Sequence, residues 1–397
     1  MKFRYPAYYE EFRCIADRCE DTCCAGWEID IDDASYAYYM SVEGEFGERL
    51  RQSIRAYESD DEDVYEQHGF ILREHRRCPF LDEHNLCELY RELGEGALCD
   101  VCADTPRNYL EYGGTRELSL STGCAEAGRL LFGGEEPILF VEKEIEDSLD
   151  FEESEEELFL AEQIRLARDQ AIALLQNRKL PLPERVIHFL HYAEQVQKCL
   201  NEDAVMDIRS IDTETDKIEK REISHGATTV ENNPEHVFRL FLTRLRSFTE
   251  MDSINEEWES MLCLLQKRYV EPEEGALRYW QEQQKLWQEM QRQGRIYEYE
   301  HLLVYYSFLC LARCVDDYDF LSKAKMAVSS FLMIRDMDCA WCAEHGGRYT
   351  KEDRVRMARI YAKEVEHSGE NLEYLADEFL FEDAYTVENL CIALTIA

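Results

Sequence analysis

The sequence predicts a mostly α-helical protein in which a small, irregular, cysteine-rich α+β region precedes an all-α domain. Two observations support this prediction. Nine of the sixteen cysteines lie between Cys14 and Cys124, in about a quarter of the 397 residues. Beyond residue 145, apolar residues repeat at helical spacing almost to the last residue. We therefore expect a cysteine-rich metal-binding domain over residues 1–145 and an all-α domain over residues 146–397.

Short elements fill the first domain in chain order. The aromatic opening, Tyr5 to Phe12, is predicted to pack beside the first cysteine turn as a lid. Glu28 to Asp32 alternates in polarity like a short strand, and Phe70 to Leu72 begins another. Glu88 to Leu93 is a short helix that glycines end, and Glu117 to Ser121 alternates like a strand again. The cysteines fall at the junctions between these elements, where a metal site could form.

The cysteines of this region are the candidate metal ligands. Thiolates that lie this close together repel one another unless disulfides, a soft metal or an iron-sulfur cluster neutralise them. Because no secretory signal precedes them, we expect reduced thiols in the cytoplasm and therefore a metal. The nine candidates are Cys14, Cys19, Cys23, Cys24, Cys78, Cys87, Cys99, Cys102 and Cys124.

The spacing of these thiols bears on whether they bind zinc or an iron-sulfur cluster, but it does not decide between the two. A structural zinc site usually pairs two C-x₂-C knuckles, and Cys99-x₂-Cys102 is the one segment of that form. The spacing from Cys14 to Cys24 fits neither a zinc knuckle nor the C-x₃-C-x₂-C run of radical enzymes. We therefore expect an iron-sulfur cluster, with 4Fe-4S as its form and zinc as the alternative metal. Nine thiols exceed the four ligands of a single site. The sequence therefore leaves open whether there is one metal site or two.

The second domain is predicted from helical periodicity. Ser154 and Glu157 form a capping box before an amphipathic run of about six turns. Pro181 and Pro183 end that run, and a second amphipathic helix follows that can fold back on the first. Residues 201–233 are polar and aperiodic, which predicts a linker or an insertion. Helical patterns then resume at 235–249, 254–269, 275–293, 298–315, 320–336, 350–366 and 371–394.

Composition excludes several classes of function. The formal charge of −40 would repel nucleic acid, whose binding depends on lysine and arginine. No apolar run reaches the roughly 18 residues that a membrane helix needs. Glycine-rich nucleotide loops and the G-x-S-x-G and H-E-x-x-H motifs are missing from the sequence. If the protein is an enzyme, the metal site must supply the chemistry; the charge itself would suit a basic, lysine-bearing segment of another protein.

Several blocks of this sequence resemble the flagellin lysine-N-methylase family, which belongs with a group of iron- or zinc-chelating proteins named for a C-x-x-C-x-x-C-C signature. The spacing of the first block here is four and three residues rather than two and two. The blocks span most of the chain: Cys19–Trp27, Cys78–Leu81, Leu86–Tyr90, Leu93–Glu95, Leu98–Cys99, Pro106–Arg107, Leu118–Ser121, Cys124, Leu303–Tyr306, Glu366–Ser368 and Asn371–Leu372.

The resemblance implies a protein-lysine N-methyltransferase that moves methyl groups from S-adenosylmethionine to lysine side chains of flagellin, with an iron-sulfur cluster in the cysteine-rich region. It also implies Tyr306, Glu366 and His367 as candidate catalytic residues. A second hypothesis, of another class, is a non-catalytic zinc-stapled module that binds a protein partner. A third is an electron carrier. The sequence leaves the oligomeric state open.

Overall fold

The computed structural model describes residues 1–57, 67–145, 153–202, 204–211 and 233–394, with the side chain of His75 left aside. The described strands are β1 Lys2–Pro6, β2 Asp30–Ile31, β3 Ile54–Tyr57, β4 Gln67–Phe70, β5 Arg107–Tyr112, β6 Thr115–Leu120 and β7 Phe140–Glu144. The helices among them are α1 Asp33–Ser41, α2 Gly44–Gln52, α3 Glu88–Leu93, α4 Asp100–Asp104 and α5 Ala125–Gly133.

A four-stranded sheet has the order β5-β6-β1-β7. The β5–β6 hairpin turns at Gly113 and Gly114, whose positive φ angles of 55° and 65° suit a tight hairpin turn. Strand β1 then inserts beside β6 in parallel and pairs with β7 in antiparallel register. The opening predicted as a lid therefore begins as a buried strand. At the end of that segment, Phe12 packs against Leu120 in a small separate core.

A three-stranded antiparallel sheet, β2-β4-β3, forms the second small layer. Its core is modest and is built from Ile29, Tyr39, Phe70 and Phe80 together with cysteines. The short strand at Asp30–Ile31 lies inside the predicted strand. The acidic composition of residues 58–68 predicts a loop, but Gln67 and His68 belong to β4, and residues 58–66 lie outside the described residues.

The helices after residue 153 are α6 Glu155–Leu175, α7 Leu182–Asn201, α8 Pro234–Glu250, α9 Glu256–Leu265, α10 Gly275–Arg292, α11 Tyr297–Cys310, α12 Cys314–Asp317, α13 Phe320–Glu344, α14 Lys351–Val365, α15 Gly369–Phe381 and α16 Val387–Leu394. The capping box at Ser154 and Glu157 is present at the start of α6. Helices α6 and α7 pack against each other on either side of Pro181. The mostly α-helical class is confirmed.

Helix α13 is the centre of the helical part and packs against α7, α11, α14 and α15. Its interior includes charged side chains: Asp338 is fully buried and pairs with Arg354, while Asp336 is buried beside Arg244. Buried charges need such partners. No helix within the described ranges has the length and apolar character to cross a membrane.

The predicted linker at 201–233 is only partly described. Residues Val205–Ser210 form a 3₁₀ helix that packs on α6 and α7, and Ile208 is fully buried. This segment therefore packs on the two helices, and a single apolar side chain in a polar run was too weak a signal to predict that. The interpretation of residues 201–233 as a linker or an insertion stays a prediction. The rest of the predicted linker, 212–232, lies outside the described residues.

Two of the contacts between the cysteine-rich and helical regions position the loop between β6 and α5. Helix α5, which follows Cys124, packs along α14. In the four-stranded sheet, buried Glu117 forms a bidentate ion pair with Arg168 of α6. These contacts place the loop between β6 and α5 directly against the end of α14. The domain boundary at residues 145 and 146 stays a prediction.

Candidate functional site

Three of the candidate metal ligands directly precede helices. Cys87 lies before α3, where its Sγ accepts from the backbone N–H of Tyr90 over 3.4 Å. Cys99 precedes α4, and its carbonyl accepts from the backbone N–H of Cys102 over 2.9 Å. Cys124 precedes α5. The exposed N–H groups of a first helical turn favour a thiolate over a thiol.

Backbone pairing brings the earlier cysteines to the same place. The N–H of Cys78 donates to the carbonyl of Cys24 over 3.0 Å, and Ala25 bridges to Arg77. Leu81 bridges to Cys87 across the turn at His84 and Asn85. The first two links join segments that lie more than fifty residues apart. The sequence predicted cysteines at turns and strand ends; Cys24, Cys78 and Cys87 lie at such places, whereas Cys102 lies inside α4.

Two thiol pairs lie at hydrogen-bonding distance. The bond with Cys24 and then burial hold the pKa of Cys23 well above its usual value. Cys102 has a raised pKa for the same reasons, through its bond with Cys99, whereas that bond lowers the pKa of Cys99. The contact between Cys99 and Cys102 therefore favours the thiolate of Cys99, while Cys102 keeps its proton. A soft cation bound there would compete with that proton.

The other thiols interact electrostatically with these pairs. Burial raises the pKa of Cys78 to about 12, and charge on Cys87 or Cys99 would raise it further. Burial raises the pKa of Cys124 to about 11, with a smaller contribution from Cys23 and Cys19. Eight of the nine candidate thiols thus form one electrostatic network, namely Cys19, Cys23, Cys24, Cys78, Cys87, Cys99, Cys102 and Cys124.

Cys14 differs from the other eight, because its side chain is exposed. Within the described ranges, no group of three or more histidine, cysteine, aspartate or glutamate side chains converges closely enough to hold a metal ion. The thiols are therefore gathered without forming a closed ligand shell. Their chemistry fits a metal that prefers sulfur, since the thiols include two neighbouring pairs.

The loop that carries Cys19 to Cys24 is tied to α14 by charge. Asp21 accepts from Arg359 and from Lys363, each over 2.5 Å. Lys363 also donates to the carbonyl of Thr22 over 3.0 Å. These two cations lower the pKa of Asp21, although its burial opposes them. One face of α14 therefore fixes the position of the first cysteine loop.

The last turn of α14 leads into Glu366, which meets the loop between β6 and α5. Its carboxylate accepts from the hydroxyls of Ser121 over 2.9 Å, Thr122 over 3.3 Å and Tyr305 over 2.8 Å. Burial raises the pKa of Glu366, and the hydroxyl donors partly counter this. Tyr306 lies beside the same carboxylate, whose charge adds to burial in raising the pKa of the phenol.

His367 lies between the two regions. Its ring centroid is 5.9 Å from that of Trp27, whose indole N–H donates to the carbonyl of Cys23 over 2.8 Å. Burial, and then the charge of Lys363, lowers the pKa of His367 to about 4. A Cβ atom on Gly123 would lie 2.9 Å from the ring, so glycine permits this approach. The imidazole is therefore neutral near pH 7 and sits beside the cysteine loop.

The structure brings the three candidate catalytic residues, Tyr306, Glu366 and His367, together at the cysteine network. Sequence reasoning missed the roles of Ser121, Thr122 and Tyr305 at this place. The signal was available in part, because the strand ending at Ser121 and the segment around Tyr305 both belong to the blocks that carry the family resemblance. Their convergence joins positions more than 180 residues apart, which no local pattern shows.

Comparison with known proteins finds one family model and several relatives. The model for the FliB lysine N-methylase C-terminal domain matches residues 168–393. The lysine-N-methylase of Salmonella typhimurium is 27% identical over 146 residues, which are 35% of this chain and 35% of that protein. The flagellar biosynthetic protein FliU of Salmonella muenchen is 29% identical over 127 residues, covering 30% of this chain and 71% of FliU.

The match to the curated lysine-N-methylases thus spans about a third of their length. No solved structure matches the chain. The family model, in contrast, covers more than half of this chain and includes α14 with Glu366 and His367. The chain therefore belongs to the family defined by the FliB lysine N-methylase C-terminal domain.

Proposed function

We propose that this protein transfers methyl groups from S-adenosylmethionine to lysine side chains of flagellin. One observation is the main support: Glu366 and His367, at the end of α14, face the loop that leads to Cys124 and lie beside the loop of Cys19 to Cys24. A proton acceptor is thus placed next to the thiol network. The names of the relatives, lysine-N-methylase and flagellar biosynthetic protein, support the substrate.

The chemistry requires a proton acceptor. A lysine ε-amine has a pKa of about 10.4, so it is mostly a charged ammonium near pH 7 and has no lone pair to attack a methyl group. His367 is neutral at that pH, and three hydroxyl donors favour the carboxylate form of Glu366 against its burial. Both residues are partly exposed at the junction of the two regions. General-base catalysis of this kind contributes about 10²–10⁴-fold to rate.

The thiol network would hold the metal centre. The two pairs, Cys23 with Cys24 and Cys99 with Cys102, together with Cys78 and Cys87, supply the donor chemistry that an iron-sulfur cluster uses. When bound, such a cluster supplies structural cross-linking and the capacity for one-electron transfer. The chain itself anchors the cysteine loop through Asp21 and fixes its distance from His367.

Anaerobic purification followed by analysis of iron, sulfide and zinc tests the metal assignment. A methyl-transfer assay on purified flagellin, read by mass spectrometry, tests the activity. We expect iron and sulfide in the protein and added masses of 14 Da per lysine methylation, about the mass of a CH₂ group. A colourless, zinc-only protein that is still active would contradict the iron-sulfur part. A metal-loaded protein that transfers no methyl group would instead favour the zinc-stapled binding module.

The variant Glu366→Gln separates the catalytic role from folding. We expect methyl transfer to fall by about 10²-fold, because the amide cannot take up a proton. Glu370→Gln is the matched control, since Glu370 is an exposed carboxylate four residues further on. Equal activity of the two variants, with equal metal content, would remove Glu366 from the mechanism.

A further inference from the structure

Ser121 stands between Glu366 and His367 with its hydroxyl in contact with both. Its Oγ donates to Glu366 Oε2 over 2.9 Å and lies 3.2 Å from His367 Nε2. The same Oγ accepts from the backbone N–H of Gly123 over 3.0 Å. A serine hydroxyl has one proton to donate and two lone pairs to accept. With Glu366 as a carboxylate, the proton of Ser121 is directed to Glu366 and one lone pair to Gly123, so His367 Nε2 donates to the other lone pair.

This arrangement selects one tautomer of the imidazole. With the pKa of His367 lowered to about 4 by burial and by Lys363, the ring holds a single proton at neutral pH, and the contact with Ser121 places it on Nε2. The lone pair is then on Nδ1. That atom is buried and has no hydrogen-bond partner among the described residues. Buried polar atoms in folded proteins nearly always have a partner, so an orphan marks a place for a ligand that can donate.

We propose that Ser121 couples His367 to Glu366 as a proton relay for an amine bound at Nδ1 of the histidine. The inference rests on the proposed methyl transfer. The ammonium of the substrate gives a proton to Nδ1 of His367. The imidazole releases its Nε2 proton to Ser121 Oγ, and the hydroxyl of Ser121 passes its own proton to Glu366 Oε2. The amine gains its lone pair, the imidazole stays neutral and Glu366 becomes a carboxylic acid.

The relay fits the charges that surround it. Lys363 opposes a positive imidazole, and its own charge is held by Asp21. A relay that moves the proton onward to Glu366 therefore avoids the imidazolium that this environment disfavours. Five titratable groups around Glu366 feel its charge, and none of the five is a cation: Tyr8, Tyr305, Tyr306, Cys310 and Tyr361. The cation Lys363 acts on His367.

The proposal also defines the class of ligand. The orphan nitrogen accepts a hydrogen bond, so it binds an amine that carries an N–H. Lysine and monomethyl-lysine ammonium groups both meet this requirement, whereas a quaternary trimethylammonium does not. Each methyl transfer to a protonated amine releases one proton, and the relay provides its path. Ser121 acts here through His367 and Glu366 and is a positioning residue.

Nuclear magnetic resonance of full-length protein labelled with ¹⁵N-histidine tests the relay without a methyl-transfer assay. The signal of His367 is identified by its loss in His367→Asn. We expect the Nε2–H tautomer from pH 6 to pH 8. Ser121→Ala should convert it to a mixture of tautomers, and Ser121→Thr should restore the Nε2–H form. Ser119→Ala, which removes a buried hydroxyl two residues earlier, within β6, is the matched control and should leave the signal unchanged.

Kinetics supply the second readout. Ser121→Ala should lower kcat about tenfold near pH 7 with KM nearly unchanged, and the deficit should shrink toward pH 10 as the substrate ammonium loses its proton unaided. An Nδ1–H tautomer in the wild type overturns the relay, as does a Ser121→Ala variant with the spectrum and pH profile of Ser119→Ala. If the wild type transfers no methyl group, the proposed function fails while the tautomer is still measured, so the two failures are distinct.

Discussion

In the helical region, α13 and its neighbours share one large apolar core with many fully buried side chains. The three-stranded sheet of the cysteine-rich region has a much smaller core, and Cys78 and Cys99 are among its buried members. Small cores leave little net stability after the entropy of the ordered chain is counted, so small domains are commonly cross-linked by a metal. We infer that the helical region folds on its apolar contacts, whereas the cysteine-rich region depends on what its thiols bind.

The largest expected effect is the loss of a thiol from the network. Cys99→Ser should lower bound metal and soluble yield together, because a lost ligand also removes folding free energy that reaches on the order of 10 kcal/mol for structural zinc sites. Cys19, Cys23, Cys24 and Cys87 should behave alike. Metal analysis combined with amide hydrogen exchange should show lost protection at β2–β4 and retained protection in α13. Equal loss of protection in both regions would contradict the comparison.

Replacement of a buried arginine tests what stabilises the helical region. Arg354 is fully buried, contacts Asp338, and donates to Glu298 over 3.3 Å. Arg354→Met should lower the free energy of unfolding by about 3–5 kcal/mol, because it leaves buried carboxylates without a partner. Arg356→Met is the control: Arg356 is 43% exposed, pairs with Glu257 over 3.2 Å, and should cost at most about 1 kcal/mol. Chemical denaturation followed by circular dichroism measures the free energy of unfolding of both variants. Similar costs would show that the buried ion pairs of Arg354 add little stability.

Glu364 gives the helical region a distinct pH dependence. Burial raises its pKa to about 7, although the backbone N–H groups of Ile254 and Asn255 donate to it over 2.9 and 3.2 Å. A carboxyl whose pKa is higher in the folded state stabilises the fold below its unfolded value near 4.5, and this stabilisation is lost as pH rises through 7. Glu364→Gln should therefore flatten the decline between pH 5 and pH 8 by on the order of 2 kcal/mol.

Thermal unfolding at several pH values measures this slope. His367 predicts the opposite sign: its folded pKa of about 4 lies below the unfolded value of 6.5, so its contribution is present above pH 6.5 and is lost as pH falls toward 4. His367→Gln should therefore remove a rise in stability between pH 4 and pH 6.5, whereas Glu364→Gln removes a decline. A Glu364→Gln variant that removes a rise instead would reverse the assignment of the two groups.

The smallest expected effect comes from cysteines outside the network. Cys263 is exposed and Cys199 is half-buried. Replacing either by alanine should leave the metal content unchanged and cost about 1 kcal/mol or less. We predict the same for Cys391. Loss of metal in any of these variants, with full metal in Cys99→Ser, would place the metal site elsewhere.

Local patterns predicted the helical part well, because a helix is set by residues three and four positions apart. Leu160, Ile164 and Ala167 were assigned to the inner face of α6 and are buried. Strand β1 was missed, since its partners at β6 lie more than a hundred residues away and parallel pairing leaves no turn signal. Likewise, the contact between Ser121 and His367 spans 246 positions. Cys124 was predicted as a ligand, but its nearness to these residues depends on how α5 packs against α14.

Helix α14 connects the two parts of the site, namely the cysteine loop and the pair Glu366 and His367. Arg359 and Lys363 hold Asp21 of the cysteine loop, and Glu366 and His367 follow directly at the end of the same helix. Thermodynamic linkage requires that coupling between two binding events be reciprocal. If occupation of the thiols orders the loop against α14 and thereby strengthens amine binding at His367, a bound amine must raise the affinity for the metal by the same factor. Loading with substrate would then protect the metal centre from chelators, so the protein would be most resistant to metal loss while its substrate is bound.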